Sequence, residues 1–400
     1  MMIQRRLAAM LQELPRLNLI NLLIFHSIFW FSFTCITHIG KGIHHDMAEN
    51  YAWGQVFEWG TFRHPPLIGW ITGLWFSVFP EHNMTYFALS YFNVGIALWG
   101  IVRLAQLFQK IEKGTQEDFI WWVLALSVLT IAYATASTSR FNPNTLLLPL
   151  WPWTAYFFIS SINYSGRYQY LTALGLGFMA SLCMLGKYFS GVLLLSLFMI
   201  SFSSNAYRRW YRTPYPYVSL LCMVVTFMPH VLWLYKMQFP SIEYMNDKMW
   251  LEINPSQLIS FALSGFYFFI LPWSLFVYFR CRNDREDVSG NGTKFTKKNL
   301  DVLALLVILP AANALVFAVI FHAAKVGSSF AYPIWFALPI LLAALLKPYI
   351  NQNNTHLLWR IMLLFLGGGL LFYHASTFVL CFISKNQSFM WAQKKWLKLS

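Results

Sequence analysis

Acidic side chains are scarce in this sequence. Among its 400 residues, 15 are Asp or Glu and 29 are Lys or Arg, and charged residues make up only 11%. The five cysteines have no paired spacing, so neither a disulfide framework nor a cysteine zinc motif is indicated. The basic residues are distributed over short loops between apolar runs and form no single patch, which argues against a nucleic-acid-binding protein.

Apolar residues fill most of the chain. They account for 58% of it and form repeated runs of about 20 residues, the length that spans the hydrocarbon core of a bilayer. The runs are continuous, which favours helices over a β-barrel. The sequence therefore predicts an all-α polytopic membrane protein with about 11 transmembrane helices. The predicted spans are 17–40, 85–108, 119–136, 145–162, 169–186, 188–203, 216–236, 259–280, 301–322, 330–346 and 357–384.

The apolar segment 65–80 needs a separate interpretation, because it begins with two prolines and is short for a crossing. Arginines at the N-terminus predict a cytoplasmic start, and the first span is interpreted as a retained helix without a cleavage site. If 65–80 does not cross, the strongly basic loops lie in the cytoplasm, so we expect an outer-face juxtamembrane helix. The predicted division is a cytoplasmic tail at 1–16, a transmembrane catalytic domain at 17–346 with an outer loop at 41–84, and a C-terminal span and short tail at 347–400.

The stretch from His44 to Trp70 contains the densest group of chemically active side chains. Asp46 and Glu49 are three residues apart on a helix predicted over 46–60, so they share one face of it. The predicted topology brings further polar residues to the same side of the membrane: His44, His45, Arg63, His64, Arg140, Asn142, Asn144, Lys187, His322 and Lys325.

Charged groups at a membrane edge are costly and are interpreted first as functional. Several cations around two acids predict a site for an anionic ligand, and a phosphate fits because Lys and Arg bind it through charge-assisted hydrogen bonds. A neighbouring carboxylate could act as general base toward an acceptor hydroxyl.

Plainer interpretations exist for each residue. Asp46 could cap its helix, and Glu49 could be a solvated acid favoured by the helix dipole. His44 and His45 could bind a metal with Asp46, but adjacent histidines are poor zinc spacing, so no metal site is predicted. Other polar residues could be simple interfacial or snorkelling side chains: His64, Arg140, Lys187 and Lys325. The segment 237–258 either covers the site or is a solvated loop, and His230 is predicted to pack between helices.

Six sequence segments together resemble a known family. They are DMAENYAWGQ, HPPLIGW, RFNPNTLLLPLWPW, MLGKYFSG, RTPYPYVS and PHVLWL, and they are similar to polyprenyl-phosphate-sugar-dependent glycosyltransferases of the GT-C superfamily. The relatives are protein mannosyltransferases and aminoarabinose lipid A transferases of glycosyltransferase family 39. The resemblance implies a GT-C helical bundle in which Asp46 is the catalytic base of an inverting reaction and Glu49 the nearest second acid.

The same resemblance implies roles for further residues. His64 stands where some relatives have a phosphate-binding lysine, and Asn144 where some have an acid. The residues expected to hold the donor phosphate are Arg63, His64, Arg140, Lys187 and Lys325. The residues expected to bind substrate elsewhere are Tyr51, Gln55, Asn144 and Tyr188.

The expected function is sugar transfer from an undecaprenyl-phosphate-like donor to an envelope acceptor such as lipid A, lipopolysaccharide core or another glycolipid. The active site would face the periplasm from a multi-pass protein of the inner membrane. No cofactor is implied, and a divalent metal is neither required nor ruled out. The alternative is a transporter or flippase for an anionic lipid-linked substrate, although such proteins usually bind at the midplane.

Overall fold

The computed structural model describes residues 19–112, 117–130, 136–249, 255–283, 295–320, 328–365 and 367–368. Within these ranges all regular elements are helical. The α-helices are α1 Leu19–Thr37, α2 His45–Gly54, α3 Leu67–Val78, α4 Asn83–Ile111, α5 Glu117–Val128, α6 Pro143–Asn163, α7 Arg167–Gly186, α8 Gly191–Ile200, α9 Asn205–Arg209, α10 Tyr215–Lys236, α11 Pro240–Met249, α12 Pro255–Tyr267, α13 Ile270–Asn283, α14 Lys297–Ile320 and α15 Leu338–Leu345, followed by a helix at 352–365. Short 3-10 helices lie at Ala136–Ser139, Tyr188–Ser190, Trp210–Arg212, Ser328–Ala331, Ile334–Ala337 and Lys347–Tyr349.

Seven helical segments of the described chain are long and apolar enough to cross a membrane. They are α1, α4, α6, α7, α10, α14 and Ser328–Leu345. Two bent pairs, Tyr188–Ile200 with Asn205–Arg212 at 99° and Pro255–Tyr267 with Ile270–Arg282 at 47°, raise the number to nine if each is one span. The all-helical membrane fold is thus confirmed, whereas the predicted number of about 11 spans is not.

The centre of the bundle is formed by α4, α6 and α7. The 29-residue α4 packs against α1 and α6, and α7 packs against α6 and α10. Large buried rings fill the helix contacts: Trp151 lies in α6 of this centre, and Trp122 of the neighbouring α5 packs on Phe279 of α13. This packing fixes the helix ends that carry the polar residues.

The two short helices α2 and α3 lie together at one end of the bundle. Gly54 and Gly73 let their backbones touch, since a Cβ added to Gly73 would lie within 2.3 Å of the Gly54 carbonyl oxygen. At the far end of α3, Trp75 donates through Nε1 to the Thr85 carbonyl oxygen at 3.0 Å, in the first turn of α4. Both termini of α3 therefore lie at the same end of the bundle, which is called the site end below.

Basic residues from several predicted cytoplasmic loops gather at the opposite end. Glu112, after α4, accepts hydrogen bonds from the Thr296 hydroxyl at 2.7 Å and the Asn299 amide at 2.5 Å. Lys347 is almost fully buried, with its ammonium 4.7 Å from the centroid of the Phe295 ring. This separation of the two ends agrees with the topology predicted from loop charge.

Candidate active site

The start of α2 places Asp46 inside the helix. His44 is extended and acts as the N-cap, its Nδ1 accepting from the Asp46 backbone N–H at 3.3 Å. Asp46 is therefore a first-turn residue, and its interpretation as the helix cap is wrong. Its carboxylate is stabilised there by the positive end of the helix dipole.

The end of α2 comes earlier than the sequence predicted. The helix stops at Gly54, and Phe57 adopts a left-handed backbone conformation with φ of 47°, which a helix cannot continue through. The predicted helix over 46–60 is thus too long, and Glu58 lies beyond it in the following loop. Asp46 and Glu49 remain on one helix, as predicted, and both are half-buried.

Two buried polar contacts fix α2 on the bundle. The Asn50 side-chain amide donates to the Phe141 carbonyl oxygen at 2.9 Å, and the Tyr86 hydroxyl donates to the Met47 carbonyl oxygen at 2.8 Å. Asn50 and Met47 are each 1% exposed. The adjoining face of α2, with Asp46 and Glu49, is consequently held toward the site.

Both histidines at the start of α2 contact the Asp46 carboxylate. His45 Nε2 lies 3.0 Å from Oδ1, and His44 Nδ1 lies 3.5 Å from Oδ2. His45 is strongly exposed and His44 is mostly covered. Burial lowers the pKa of His44, with the nearby Asp46 opposing that effect.

Glu49 is bound to Arg63, 14 residues later in the chain. Arg63 Nη1 donates to both carboxylate oxygens, at 2.6 and 2.8 Å, and the pair is half-buried. This hydrogen bond raises the pKa of Arg63. The Phe62 and Tyr244 rings flank the guanidinium at 5.5 and 5.2 Å. Glu49 is therefore not the plain solvated acid of the alternative interpretation.

Lys187 and Asn144 meet where two helices begin and end. Asn142 forms a capping box at the start of α6, which fixes Asn144 in the first turn. α7 ends at Gly186, and the extended Lys187 turns back into the site. Lys187 Nζ donates to Asn144 Oδ1 at 2.5 Å and lies 3.4 Å from the centroid of the Phe330 ring.

The protonation of the site depends on burial. Burial lowers the pKa of Lys187 to about 7, although the Asp46 carboxylate raises it. Burial also lowers the pKa of His64 to about 3, and the charges of Lys187 and Arg63 add to that shift. His64 is thus a neutral imidazole at neutral pH, able to donate one hydrogen bond without carrying charge.

The remaining predicted residues lie at varying positions. Arg140 is exposed beside the start of α6 and acts on His44 through its charge. The Tyr51 hydroxyl donates to Glu81, a bond that raises the pKa of Tyr51. Gln55 is exposed immediately after α2. Lys325 and His322 lie outside the described residues.

A polar network beside the site was not predicted from the sequence. His230 is buried in α10, as expected for a packing residue, yet its ring bonds the Trp59 carbonyl oxygen and the Tyr188 hydroxyl, the latter at 2.7 Å. Tyr188 also bonds Ser241 of α11 at 3.0 Å. The segment 237–258 therefore includes a helix whose Ser241 and Tyr244 cover the site. The only sequence signal was the position of His230 near the outer end of a span.

A cleft of about 290 Å³ opens between the loop after α2 and the end of α10. Its walls include Trp53 and Trp233, and its polar group is Glu58, whose Oε2 accepts from Trp233 Nε1 at 3.2 Å. Trp53 also packs edge-on against the His64 ring, with centroids 5.8 Å apart. The cleft is thus next to the charged site.

Comparison with known proteins shows what this arrangement resembles. Residues 63–233 match the family model described as dolichyl-phosphate-mannose-protein mannosyltransferase. The crystal structure of ArnT from Cupriavidus metallidurans bound to undecaprenyl phosphate superposes with a TM-score of 0.57 at 14% identity, covering 80% of this chain and 59% of that one. The chain has the GT-C fold. The family prediction made from the motifs is confirmed at the level of this superfamily.

Other comparisons set the extent of the likeness. The apo structure of the same Cupriavidus metallidurans ArnT gives a TM-score of 0.50 at 14% identity and covers 74% of this GT-C chain and 53% of that one. The chain thus spans less than two thirds of the length of these structures. No curated protein matches it in sequence. The family match includes Arg63, His64, Arg140, Asn144 and Lys187 but begins after Asp46.

Proposed function

We propose that this protein is a glycosyltransferase that moves a sugar from a polyprenyl phosphate to an acceptor in the cell envelope, at the periplasmic face of the inner membrane. The observation that carries the proposal is that the Asp46 carboxylate and the Lys187 ammonium, which donates to Asn144, lie at the same end of a GT-C fold and interact electrostatically. A base beside an anion-binding cation is the arrangement that displacement of a phosphate requires.

The cations have different parts in this proposal. Among the described residues, Lys187 donates a hydrogen bond to the neutral amide oxygen of Asn144 and forms no ion pair, so its charge is available to the donor phosphate. Arg63 shares its charge with Glu49, but its Nε has no hydrogen-bond partner among the described residues and is buried. A phosphate oxygen would satisfy that donor. His64, being neutral, would contribute an N–H hydrogen bond. Arg140 and Lys325 are proposed to add positive charge to the phosphate site.

The proposed reaction is a single displacement. Asp46 takes the proton of an acceptor hydroxyl, whose oxygen attacks the anomeric carbon while the bond to the phosphate oxygen breaks. The polyprenyl phosphate leaves with the negative charge, which the cations stabilise, so no acid is needed for its departure. Attack from the face opposite the phosphate would invert the anomeric centre.

The aromatic cleft supplies space for a sugar. Sugar rings stack on aromatic faces through their C–H groups, and Trp53 and Trp233 provide two such faces beside the charged site. The Glu58 carboxylate can accept from sugar hydroxyls through the oxygen that Trp233 does not hold. The half-buried Tyr51 and the exposed Gln55 would contact the substrate further out.

The test is replacement of the proposed base. Asp46→Asn keeps the size of the side chain but removes its proton affinity, so transfer should fall by roughly 100–10,000-fold, the range of a general base. Mass spectrometry of envelope glycolipids would compare cells that express the native protein or the variant at matched membrane abundance.

The matched control is Asp247→Asn, the same change at an exposed acid of α11. It should leave the glycolipid product unchanged. Full product formation by Asp46→Asn would contradict the base assignment and favour the alternative of a transporter that uses the same cations for binding.

A further inference from the structure

Three residues at the start of α2 form a group of metal-ligand type that their spacing in the sequence did not predict. His44, His45 and Asp46 each offer one ligand atom, and these atoms all lie within 4.8 Å of one another. Adjacent histidines are unusual zinc ligands because neighbouring side chains normally diverge. Here His44 is extended while His45 begins the helix, so their rings lie side by side with centroids 4.1 Å apart.

Two of the distances between these ligand atoms are close to those found around a small metal ion. Two ligand atoms at about 2.0–2.1 Å from a tetrahedral zinc ion are roughly 3.3 Å apart. His45 Nε2 and His44 Nδ1 lie 3.0 and 3.5 Å from the two Asp46 carboxylate oxygens. Three protein ligands with a fourth position open to water are the arrangement of accessible zinc sites, and His45 is 77% exposed.

We propose that His44, His45 and Asp46 bind a zinc-class divalent ion and that this ion inhibits the protein by occupying the carboxylate of Asp46. The inhibition rests on the proposed function, whereas the binding does not. Two imidazoles and one carboxylate favour zinc over magnesium, which prefers oxygen ligands and water.

The surroundings make this an inhibitory site of moderate affinity. Binding through Nδ1 replaces the 3.3 Å bond that His44 accepts from the Asp46 backbone N–H, and the positive end of the helix dipole repels a cation. Arg140 and Lys187 add positive charge nearby. We therefore expect dissociation constants on the order of micromolar, set by these repulsions against the three ligand bonds. Those cations already serve a phosphate, so the ion is not needed to bind the donor.

The binding test measures zinc directly. The full chain, purified through a tag without histidine and placed in lipid nanodiscs, would be dialysed against ZnCl₂ and, separately, MgCl₂. The native protein should retain about one zinc per chain and no magnesium. His45→Gln should weaken zinc binding by at least roughly tenfold, since even loss of a partner outside the ligand shell costs about 10–100-fold.

His82→Gln is the matched control. His82 is also an exposed helix N-cap at the site end, and its Nδ1 accepts from the Met84 backbone N–H at 3.2 Å, the same arrangement as at His44. This variant should bind zinc as the native protein does. Native-like binding by His45→Gln, or no zinc on the native chain, would overturn the proposal.

Inhibition is measured in the same nanodiscs by the fraction of transfer that ZnCl₂ removes. Zinc should suppress transfer by the native protein and by His82→Gln, and it should suppress much less of whatever activity His45→Gln retains. Zinc that binds through His45 without any detectable transferase activity would leave the metal site standing and count against the proposed function. Zinc that binds but leaves transfer unaffected would refute the inhibitory role.

Discussion

At the scale of single residues, the protonation of Lys187 would decide how strongly the proposed site binds a phosphate. Its pKa, lowered by burial to about 7, means that the ammonium is charged below pH 7 and increasingly neutral above it. Its hydrogen-bond partner Asn144 carries no charge to oppose the shift. An acid stands at this position in some relatives that the sequence resembles, so this neutral partner gives the chain its own pH response.

We predict that kcat/KM for the polyprenyl-phosphate donor falls as pH rises through about 7, because the neutral amine loses its attraction for phosphate. Asn144→Asp places a carboxylate at the same 2.5 Å contact, raises the pKa of Lys187 and should move the fall to higher pH. Initial rates from pH 5.5 to 9 would measure it. Identical pH profiles for the two proteins would refute the prediction.

The same shift affects stability with a defined sign. Between pH 7 and 10.5 the unfolded chain binds the lysine proton while the folded chain does not, so the free energy of unfolding should rise with pH across that window. Asn144→Asp should reduce this rise.

Replacement of Arg63 tests whether its role beside Glu49 needs the geometry of the guanidinium or only its positive charge. Arg63→Lys keeps the positive charge but has a single donor nitrogen, so it cannot hold Glu49 through one nitrogen and present a separate one, as Nε does, to a phosphate. We expect kcat/KM to fall at least about tenfold, because charge-assisted hydrogen bonds contribute about 1.5–3 kcal/mol. Donor titration of the initial rate would measure it, and a lysine variant with native kinetics would show that charge suffices.

At the scale of elements, the contact between α2 and α3 positions Asp46, the proposed base. Gly69 and Gly73 of α3 approach α2 so closely that α2 has no room to shift toward α3. The Phe57 ring, in the turn after α2, packs against Gly73 of α3. The position of Asp46 is therefore set by backbone contact between two short helices.

Gly73→Ala should force these helices apart, since its Cβ would lie 2.3 Å from a backbone oxygen that cannot rotate away. We expect a destabilisation of about 1–3 kcal/mol, as for other overpacked contacts, and a loss of transfer beyond the loss of folded protein. Thermal unfolding in detergent and activity per folded chain would measure the two effects. Gly42→Ala, which has nothing within 4 Å of its added Cβ, is the control and should behave as native.

Comparison of the helices with the sequence predictions shows which parts of the candidate site could be predicted. Apolar run length predicted most long helices, and residues three apart on one helix were correctly placed on one face. The end of α2 was not predictable, because it depends on the left-handed backbone of Phe57, a residue with no turn preference. The Glu49 to Arg63 bond and the contact of His230 with Trp59 depend on the path of the chain around that turn, whereas the convergence of His44, His45 and Asp46 depends on the extended backbone of His44 at the start of α2.

At the scale of the whole molecule, the ends of the bundle differ in character. The site end carries Asp46, Glu49 and their cations, whereas the opposite end carries Glu112 with Lys347 and Arg280. Loop charge predicted this division, because it requires only a count of helix crossings. It did not predict the bent pairs, whose breaks are set by tertiary packing.

The division predicts a definite orientation. Reporter fusions after residue 82 should give a periplasmic signal and fusions after residue 112 a cytoplasmic one, since only α4 lies between them. Alkaline phosphatase and green fluorescent protein fusions would measure the two positions. A cytoplasmic signal after residue 82 would mean that α3 crosses the membrane and would reverse the orientation of the site.

The apolar side of α3 has one more consequence. Leu74 and Val78 are 60% and 75% exposed, and Phe79 beside them is 43% exposed. The apolar face of α3 would therefore lie in the upper part of the acyl chains. Because α2 packs tightly against α3, the carboxylate of Asp46, the proposed base, would then lie at one fixed height above the lipid tails. This fixed height would select acceptors by distance from the membrane. An acceptor hydroxyl close to the headgroup plane would reach Asp46, and one several sugar units further out would not.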